Sequence, residues 1–430
     1  MKKTFRKLLS LATVLAMILS LSSIVMADGL TNGKAAGTDN AKIGNTVTIQ
    51  KEIEVYNSSS ATVYAPPISY TYTVTAAGVT AKTQTVKDTT GTIGYVYPGV
   101  MNAVTNTGKA ATLTFANTQS VTATTSGGAY FVGTFDIGFD PSAFTHTGIY
   151  RYAITQTTSG YTGVTVSSTE TVRYLDVYVR PAVEADNVQT SYVIYGYVLV
   201  KSTNEAFDID DSDTNSRDTT IKTNGFVHDG ANNAGTPSAA IGVDRYDTYN
   251  MTLTKAVSGT FGDKSHGFPF AIAITSAANG ARISAATTGT DLTGFSDTGS
   301  TGVIASGSLA ASVKLADTKT VTISGIPAGS TISITETNDT PDIYKVSTTS
   351  TNSDAADLQA AEKENGQTAV LSGIAPTALT SDVAVTYTNA LTVVSPTGLL
   401  LRIAPFGIML LAGCVFIVIA RKARKGSENA

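Results

Sequence analysis

Apolar and polar residues alternate with period two along most of the chain. Turn-forming Gly, Pro, Asn and Asp separate the alternating segments, which cover residues 46–56, 69–75, 112–115, 130–139, 149–155, 172–179 and 192–200. This pattern is typical of half-buried β-strands. Between residues 28 and 392 only residues 355–365 hint at a helix. The pattern therefore predicts an all-β chain, and the regular turn spacing favours β-sandwiches.

One strand pattern occurs twice. Residues 46–55, Thr-Val-Thr-Ile-Gln-Lys-Glu-Ile-Glu-Val, are echoed at 250–259 by Asn-Met-Thr-Leu-Thr-Lys-Ala-Val-Ser-Gly. Such a repeat indicates two related domains. We predict a first domain over residues 28–240, including a polar loop or linker at 202–240, and a second domain over residues 241–392.

Both ends of the chain carry apolar runs beside basic residues. Residues 1–27 have a basic start, an apolar stretch and a small-residue cleavage site, the layout of a secretory signal peptide. Near the other end, an apolar run at 403–420, within a predicted span of 399–420, precedes the basic cluster 421–425. A run of that length spans a bilayer, and the basic cluster keeps residues 421–430 in the cytoplasm. We therefore expect export, with a single C-terminal transmembrane helix.

A short motif precedes this predicted span. Val394-Ser-Pro-Thr397-Gly398 resembles the cell-wall sorting signal that sortases of Gram-positive bacteria recognise, although Pro lies one place late and Leu is absent. The resemblance implies cleavage between Thr397 and Gly398, with sortase and peptidoglycan as partners and a wall-anchored cell-surface location. A plain single-pass membrane anchor is the alternative.

Charge and cysteine content narrow the functional class. Without the leader and the tail, the chain keeps 20 basic and 32 acidic residues, a net charge of −12. Such an acidic protein is a poor partner for nucleic acid. The single cysteine, Cys414, lies in the predicted span, so no intrachain disulfide can form.

The sequence lacks the usual marks of a metal site or an enzyme. The acidic stretch 208–213 lacks the Gly and Glu of a calcium loop. His146, His228 and His266 have no metal-ligand spacing, and no nucleophile–base pair or phosphate loop is present. We expect no metal, no cofactor and no enzymatic activity.

Three polar residues fall on apolar strand faces in the second predicted domain. Residues two apart in a strand share a face. Lys255 therefore lies among the apolar positions of residues 251–257, and Asn389 among those of residues 383–391. Glu336 follows apolar residues at 332 and 334 in the same way. Burying each of these groups alone would be costly.

Together these three groups can react. Burial disfavours charge, so it keeps the lysine neutral and nucleophilic and the glutamate protonated. The acid can then polarise the carboxamide and move protons, while close contact supplies a high effective concentration. The expected product is a Lys–Asn isopeptide bond, formed with loss of ammonia.

At these residues the chain resembles the streptococcal-type backbone pilins, whose immunoglobulin-like domains carry self-formed isopeptide bonds. The matching segments are Lys255 on an opening strand, Phe268-Pro-Phe, the strand ending at Glu336 and the strand 385–389. The resemblance implies two tandem immunoglobulin-like sandwiches, with Lys255 and Asn389 bonded and Glu336 as catalyst. A Lys255–Glu336 salt bridge, with Asn389 in a turn, is the alternative.

The first predicted domain departs from the family pattern. Lys51 is placed like Lys255, but the strand expected to carry the catalytic acid ends in Gln156, which cannot carry a proton as a carboxyl does. Asn224 is the nearest candidate partner for Lys51, and Asp247 is another. A bond in this domain is a hypothesis only.

These features predict a structural subunit of a sortase-assembled pilus that polymerises covalently with copies of itself. The resemblance implies an amine donor near the end of the first domain, where Lys222 and Lys201 lie. A monomeric wall-anchored adhesin that binds a host or microbial surface ligand is the alternative. A membrane-retained protein that sortase never cuts is a weaker one.

Overall fold

The structure is a computed structural model, and the residues that it describes fall in several ranges. They are 30–31, 34–35, 44–77, 85–88, 91–123, 128–168, 171–183, 189–201, 223–228, 243–295, 300–337, 339–340, 344–350, 361–362, 368–369, 378–391, 408–412 and 414–417. The predicted signal peptide, Lys222, the acidic stretch 208–213 and the sorting motif 394–398 lie outside these ranges.

The chain divides into two compact units, unit 1 ending at Asp247 and unit 2 beginning at Thr248. The strands that lie wholly in unit 1 are β1 (Leu30–Thr31), β2 (Lys34–Ala35), β3 (Thr46–Asn57), β4 (Ala61–Tyr64), β5 (Ser69–Ala76), β6 (Thr85–Asp88), β7 (Gly91–Pro98), β8 (Ala110–Thr114), β9 (Ser120–Ala123), β10 (Ala129–Gly138), β11 (Gly148–Thr158), β12 (Val164–Thr165), β13 (Val172–Val183), β14 (Gln189–Val200) and β15 (Gly225–Phe226). Short 3-10 helices occupy Met101–Ala103, Thr107–Lys109 and Pro141–Ala143.

Strand β16 (Asp244–Ser258) begins in unit 1 and ends in unit 2. The later strands are β17 (Phe268–Thr275), β18 (Arg282–Thr287), β19 (Thr290–Thr293), β20 (Thr301–Val303), β21 (Ser308–Leu315), β22 (Thr320–Pro327), β23 (Thr331–Thr337), β24 (Lys345–Ser350), β25 (Ala361–Glu362), β26 (Thr368–Ala369) and β27 (Val383–Ala390). The prediction of an all-β chain is confirmed.

In unit 1, one sheet has the strand order β14-β13-β11-β5-β8. A second group centres on β3, which pairs with β10, β15 and β16. A single apolar core contains buried residues from both groups, including Ile53, Tyr72, Phe131 and Tyr152. Strands β3 and β16 are therefore neighbours on one side of this core, with β5 and β11 in the facing sheet.

Unit 2 has the same plan. One sheet contains β20-β18-β22-β16-β27-β24-β25, and the other contains β19-β21-β17-β23-β26. The side chains of β17 and β27 meet between the sheets, where the rings of Phe270 and Tyr387 pack edge to face at 5.2 Å. Strands β16 and β27, the first and last that the structure describes in this unit, run parallel and pair over residues 251–258 and 383–390.

The buried face of β16 changes along the strand. In its first half the even-numbered Asp244, Tyr246 and Thr248 are buried, whereas in its second half the odd-numbered residues from Met251 to Val257 are buried. A register shift between Tyr249 and Met251 separates the halves. Because such a bulge adds one residue to one strand, it reverses which positions face the core.

The C-terminal tail is described only in part. Residues 408–412 and 414–417 are helical, and their large apolar side chains are exposed. Most of the predicted span 399–420 lies outside the described ranges. Among the residues described, no helix is both long enough and apolar enough to cross a membrane.

Candidate functional site

A buried cluster in unit 2 brings together the three polar residues identified in the sequence. Lys255 lies on β16, Asn389 on the adjacent β27, and Glu336 on β23 of the facing sheet. The parallel register places Asn389 opposite Val257, two residues beyond Lys255. All three side chains therefore point into the space between the sheets, and each residue is 0% exposed.

One carboxylate joins the other two groups of the unit 2 cluster. Lys255 Nζ lies 3.1 Å from both oxygens of Glu336. Asn389 Nδ2 donates to Glu336 Oε1 at 2.5 Å. Asn389 Oδ1 is buried without a hydrogen-bond partner among the described residues. The amine and the carboxamide thus share one carboxylate oxygen in a site closed to solvent.

Aromatic rings enclose the amine of the unit 2 cluster. Lys255 Nζ lies 4.3 Å from the ring centroid of Phe268 and 5.8 Å from that of Phe270. Burial lowers the pKa of Lys255 to about 8, although the Glu336 carboxylate opposes this shift. Burial also raises the pKa of Glu336, opposed by Lys255 and by the hydrogen bond from Asn389. Both shifts favour the neutral forms.

A second buried cluster lies in unit 1. It consists of Lys51 on β3, Gln156 on β11 and Asp244 at the start of β16, which are 1%, 5% and 0% exposed. Lys51 Nζ lies 2.9 Å from Asp244 Oδ2. Gln156 Nε2 donates to the same oxygen at 3.5 Å. One carboxylate oxygen again joins an amine to a carboxamide.

Two further donors complete the unit 1 cluster. The backbone N–H of Ser167 donates to Asp244 Oδ1 at 2.8 Å. The Tyr72 hydroxyl donates to Gln156 Oε1 at 3.4 Å. Lys51 Nζ lies 4.8 Å from the ring centroid of Tyr70. Burial lowers the pKa of Lys51, and the nearby Asp244 carboxylate opposes that shift.

The strand register makes the two clusters equivalent. In unit 2, Glu336 on β23 pairs directly with Phe270 on β17. In unit 1, Gln156 on β11 pairs directly with Tyr72 on β5. In each unit the lysine lies on the opening strand, and the residue two before the paired aromatic, Phe268 or Tyr70, covers the amine.

The structure places the predicted partners of Lys51 elsewhere. The Asn224 side chain is exposed, and its carbonyl oxygen accepts the N–H of Gln50. Asp247 forms an ion pair with Arg245 at 2.6 Å. Asp244, which the sequence reasoning missed, occupies the site instead. Its spacing from the buried Tyr246 is the signal that could have found it, since residues two apart share a strand face.

The other predicted residues lie apart from both clusters. Lys201 is half-buried and directly follows β14, and Lys222 lies outside the described ranges. His228 Nδ1 lies 2.7 Å from Glu52, and His266 Nε2 lies 2.6 Å from Asp339. In the part of the chain that the structure describes, no group of three or more His, Cys, Asp or Glu residues is arranged to hold a metal ion.

Comparisons with known proteins return a domain of unknown function and several pilus proteins. The family model DUF7601, a domain of unknown function, matches residues 249–372. No curated protein matches the chain. Among solved structures, the chain is similar to the major pilin of Streptococcus pyogenes, with 18% identity, a TM-score of 0.45, and coverage of 82% of this chain and 100% of that one.

Two further solved structures extend this comparison. The major pilin T3.2 of Streptococcus pyogenes is 15% identical with a TM-score of 0.40, over 81% of this chain and 100% of that one. A pilus-presented adhesin is 12% identical with a TM-score of 0.23, over 80% of this chain and 100% of that one. Both are structures of pilus proteins.

Proposed function

We propose that this chain is a structural pilus subunit and that the unit 2 cluster closes an intramolecular isopeptide bond between Lys255 and Asn389. The observation that carries the proposal is the single oxygen, Glu336 Oε1, shared by the amine and the carboxamide in a fully buried site. A buried ion pair alone would be a weak source of stability. The extra carboxamide supplies the electrophile that turns the pair into a reactive site.

The reaction follows from the neutral forms of the two titrating groups. The Lys255 amine attacks Cγ of Asn389, and a new C–N bond forms. The Cγ–Nδ2 bond breaks, and ammonia leaves. Glu336 gives a proton to the departing nitrogen and takes one from the attacking amine, so its own protonation is restored. Because the groups are held in contact, the effective concentration is high.

The product suits a fibre that bears tension. It would join β16 to β27, the first and last strands of unit 2. Force applied through the chain ends would then pass through a covalent bridge rather than through hydrogen bonds between strands. The bridge would also restrict the unfolded chain much as a disulfide does, without sensitivity to reduction.

Assembly on the cell surface rests on the sequence motifs. The leader would export the chain, and the tail would hold it until a sortase cuts between Thr397 and Gly398. An amine of another copy would then attack the Thr397 carbonyl, with Lys201 and Lys222 as candidate donors. Each unit would serve as one immunoglobulin-like sandwich in the resulting polymer.

Intact mass under denaturing conditions tests the unit 2 bond. The parent chain should be lighter than its processed sequence, and a peptide linking Lys255 to Asn389 should account for one lost ammonia. Glu336→Ala should restore that ammonia and abolish the linked peptide. Unlinked peptides of unchanged mass containing Lys255 and Asn389 in the parent would contradict the proposed bond.

Cell-wall extracts test the pilus role separately. A ladder of multimers that resists sodium dodecyl sulfate is expected, and it should disappear when Thr397-Gly398 is deleted. A single anchored species in the parent would instead support the monomeric adhesin.

A further inference from the structure

The two clusters hold the same functional groups at exchanged positions. In unit 2 the carboxyl, Glu336, lies on the facing sheet and the carboxamide, Asn389, lies on the strand beside the lysine strand. In unit 1 the carboxamide, Gln156, lies on the facing sheet, and the carboxyl, Asp244, lies on β16, which pairs with the lysine strand β3. An amine, an acid and an amide are therefore present in both units.

In both units the carboxyl group contacts the amine and the amide nitrogen, although it lies on a different strand in each. In unit 2 the acid oxygen Glu336 Oε1 lies 3.1 Å from the amine and 2.5 Å from the amide nitrogen. In unit 1 the acid oxygen Asp244 Oδ2 lies 2.9 Å from the amine and 3.5 Å from the amide nitrogen. In each unit a carboxyl is thus placed to move a proton between the two nitrogens.

We propose that unit 1 forms an isopeptide bond between Lys51 and Gln156, with Asp244 as the proton carrier. This inference rests on the proposed function, since it assigns the same reaction with the acid and amide roles exchanged. The Lys51 nitrogen attacks Cδ of Gln156 and forms a C–N bond, the Cδ–Nε2 bond breaks, and ammonia leaves. Asp244 gives one proton to the leaving nitrogen and takes one from the amine.

Two hydrogen bonds of unit 1 support these roles. The Tyr72 hydroxyl donates to Gln156 Oε1, the oxygen on which negative charge develops when the amine attacks. The Ser167 N–H holds Asp244 Oδ1, which leaves Oδ2 toward both nitrogens. Tyr72 is thus an electrophilic catalytic residue, and Ser167 positions the acid.

The rival product is an amide between Lys51 and Asp244, formed with loss of water. That reaction needs a second group that can carry protons to the leaving oxygen, because Asp244 cannot be the electrophile and the proton carrier at once. Gln156, which occupies the position of Glu336, cannot carry a proton. The exchanged arrangement therefore favours Gln156 as the electrophile, since its carboxamide needs only the acid that is already present.

Peptide mapping of the purified full chain distinguishes the products. One linked peptide should join Lys51 to Gln156 with the loss of one ammonia. Asp244→Asn, which keeps the shape of the side chain but removes the acid, should abolish this link. A Lys51–Asp244 peptide that has lost water, or unlinked Lys51 and Gln156 in the parent, would overturn the proposal.

The variant Gln156→Met is the second test, since it removes the electrophile while keeping a side chain of similar length. It should abolish the unit 1 ammonia loss and leave the Lys255–Asn389 link intact. Ammonia loss from Lys51 that persists in this variant would overturn the proposal, because another residue would then be the acceptor. The two units are mapped separately, so failure of the unit 1 bond is distinct from failure of the proposed unit 2 bond.

Discussion

Units 1 and 2 share a framework but differ in which strand carries the acid. Each has a buried lysine on its opening strand, an aromatic residue over the amine, and a carboxylate oxygen between the amine and a carboxamide. In unit 2 the acid faces the lysine from the opposite sheet, whereas in unit 1 it lies on β16, a strand paired with the lysine strand. In the proposed reactions, the role of each position therefore depends on its neighbours and not on its place in the fold.

The exchange also changes which strands would be joined. A Lys255–Asn389 bond would tie the first strand of unit 2 to its parallel neighbour β27. A Lys51–Gln156 bond would tie β3 to β11 in the facing sheet. The first and last strands of unit 2 would then be covalently joined, whereas in unit 1 the bond would link the two sheets across the core.

The largest expected effect comes from exchanging the groups of unit 2. In the double variant Glu336→Gln with Asn389→Asp, the acid and amide occupy the arrangement seen in unit 1. The linked peptide should move completely, so that Lys255 is joined to the new carboxamide at position 336 instead of to position 389, still with loss of ammonia. Peptide mapping checks this result, and the single variant Glu336→Gln, which lacks any acid, is the control. A link from Lys255 to position 389 in the double variant would contradict exchangeable roles.

The next effect is on thermal stability. Glu336→Gln should prevent the unit 2 bond with little change in side-chain volume. Losing a cross-link across the loop between positions 255 and 389 should lower the free energy of unfolding by about 5 kcal/mol. For a domain of this size, that corresponds to a fall of about 10 to 20 °C in the melting temperature.

Calorimetry measures this change, and Asp291→Asn, which neutralises an exposed carboxyl of unit 2, is the matched control. A melting temperature within a degree or so of the parent value would show that no stabilising bond had been lost.

The rate of the unit 2 reaction should depend on pH. The reactive pair holds one proton, on Glu336, with Lys255 neutral. Lys255 and Glu336 can exchange this single proton, so the lowered pKa of Lys255, about 8, marks the pH above which the pair loses it. No acid then remains to protonate the leaving nitrogen. The rate should therefore fall about tenfold for each pH unit above about 8.

The chain is recovered unreacted from inclusion bodies and diluted into native buffers of different pH. Mass spectrometry then follows the rate of ammonia loss. A rate that continues to rise above the pKa of Lys255 would show that amine deprotonation alone controls the reaction, without an acid.

The smallest effect concerns Tyr72. Its hydroxyl is the donor to Gln156 Oε1, and the bond is long at 3.4 Å. Tyr72→Phe should slow the unit 1 reaction by about tenfold, below the usual effect of an oxyanion donor. The same time course of ammonia loss measures it, with the unit 2 reaction as internal reference. An unchanged unit 1 rate would remove Tyr72 from the mechanism.

The alternation of strand residues was enough to predict that the three residues of the unit 2 cluster face the core. Lys255, Glu336 and Asn389 each lie on a regular strand, so the rule that residues two apart share a face placed all three in the core. The all-β class followed from the same alternation. Contact between the three groups could not be read from one sequence, because it depends on how the two sheets pack.

The unit 1 cluster escaped prediction for two physical reasons. Counting back from Lys255 in steps of two residues places Asp247, and not Asp244, on the buried face. The bulge between Tyr249 and Met251 reverses the buried face of β16, so Asp244 is buried instead. Gln156 lies on the strand where the family pattern predicts the catalytic acid, so the sequence alone indicates that unit 1 has no catalyst. Only the three-dimensional contact between Gln156 and Asp244 reveals a complete set of groups.

The most direct test of the central claim is the intact mass of the denatured chain, beside Glu336→Gln and Asp244→Asn. We predict that the parent has lost two ammonia molecules relative to its processed sequence. Each variant should have lost only one, because the bond in the mutated unit does not form. A parent mass equal to that of the processed sequence would contradict the account, because it would leave both clusters as unreacted buried ion pairs.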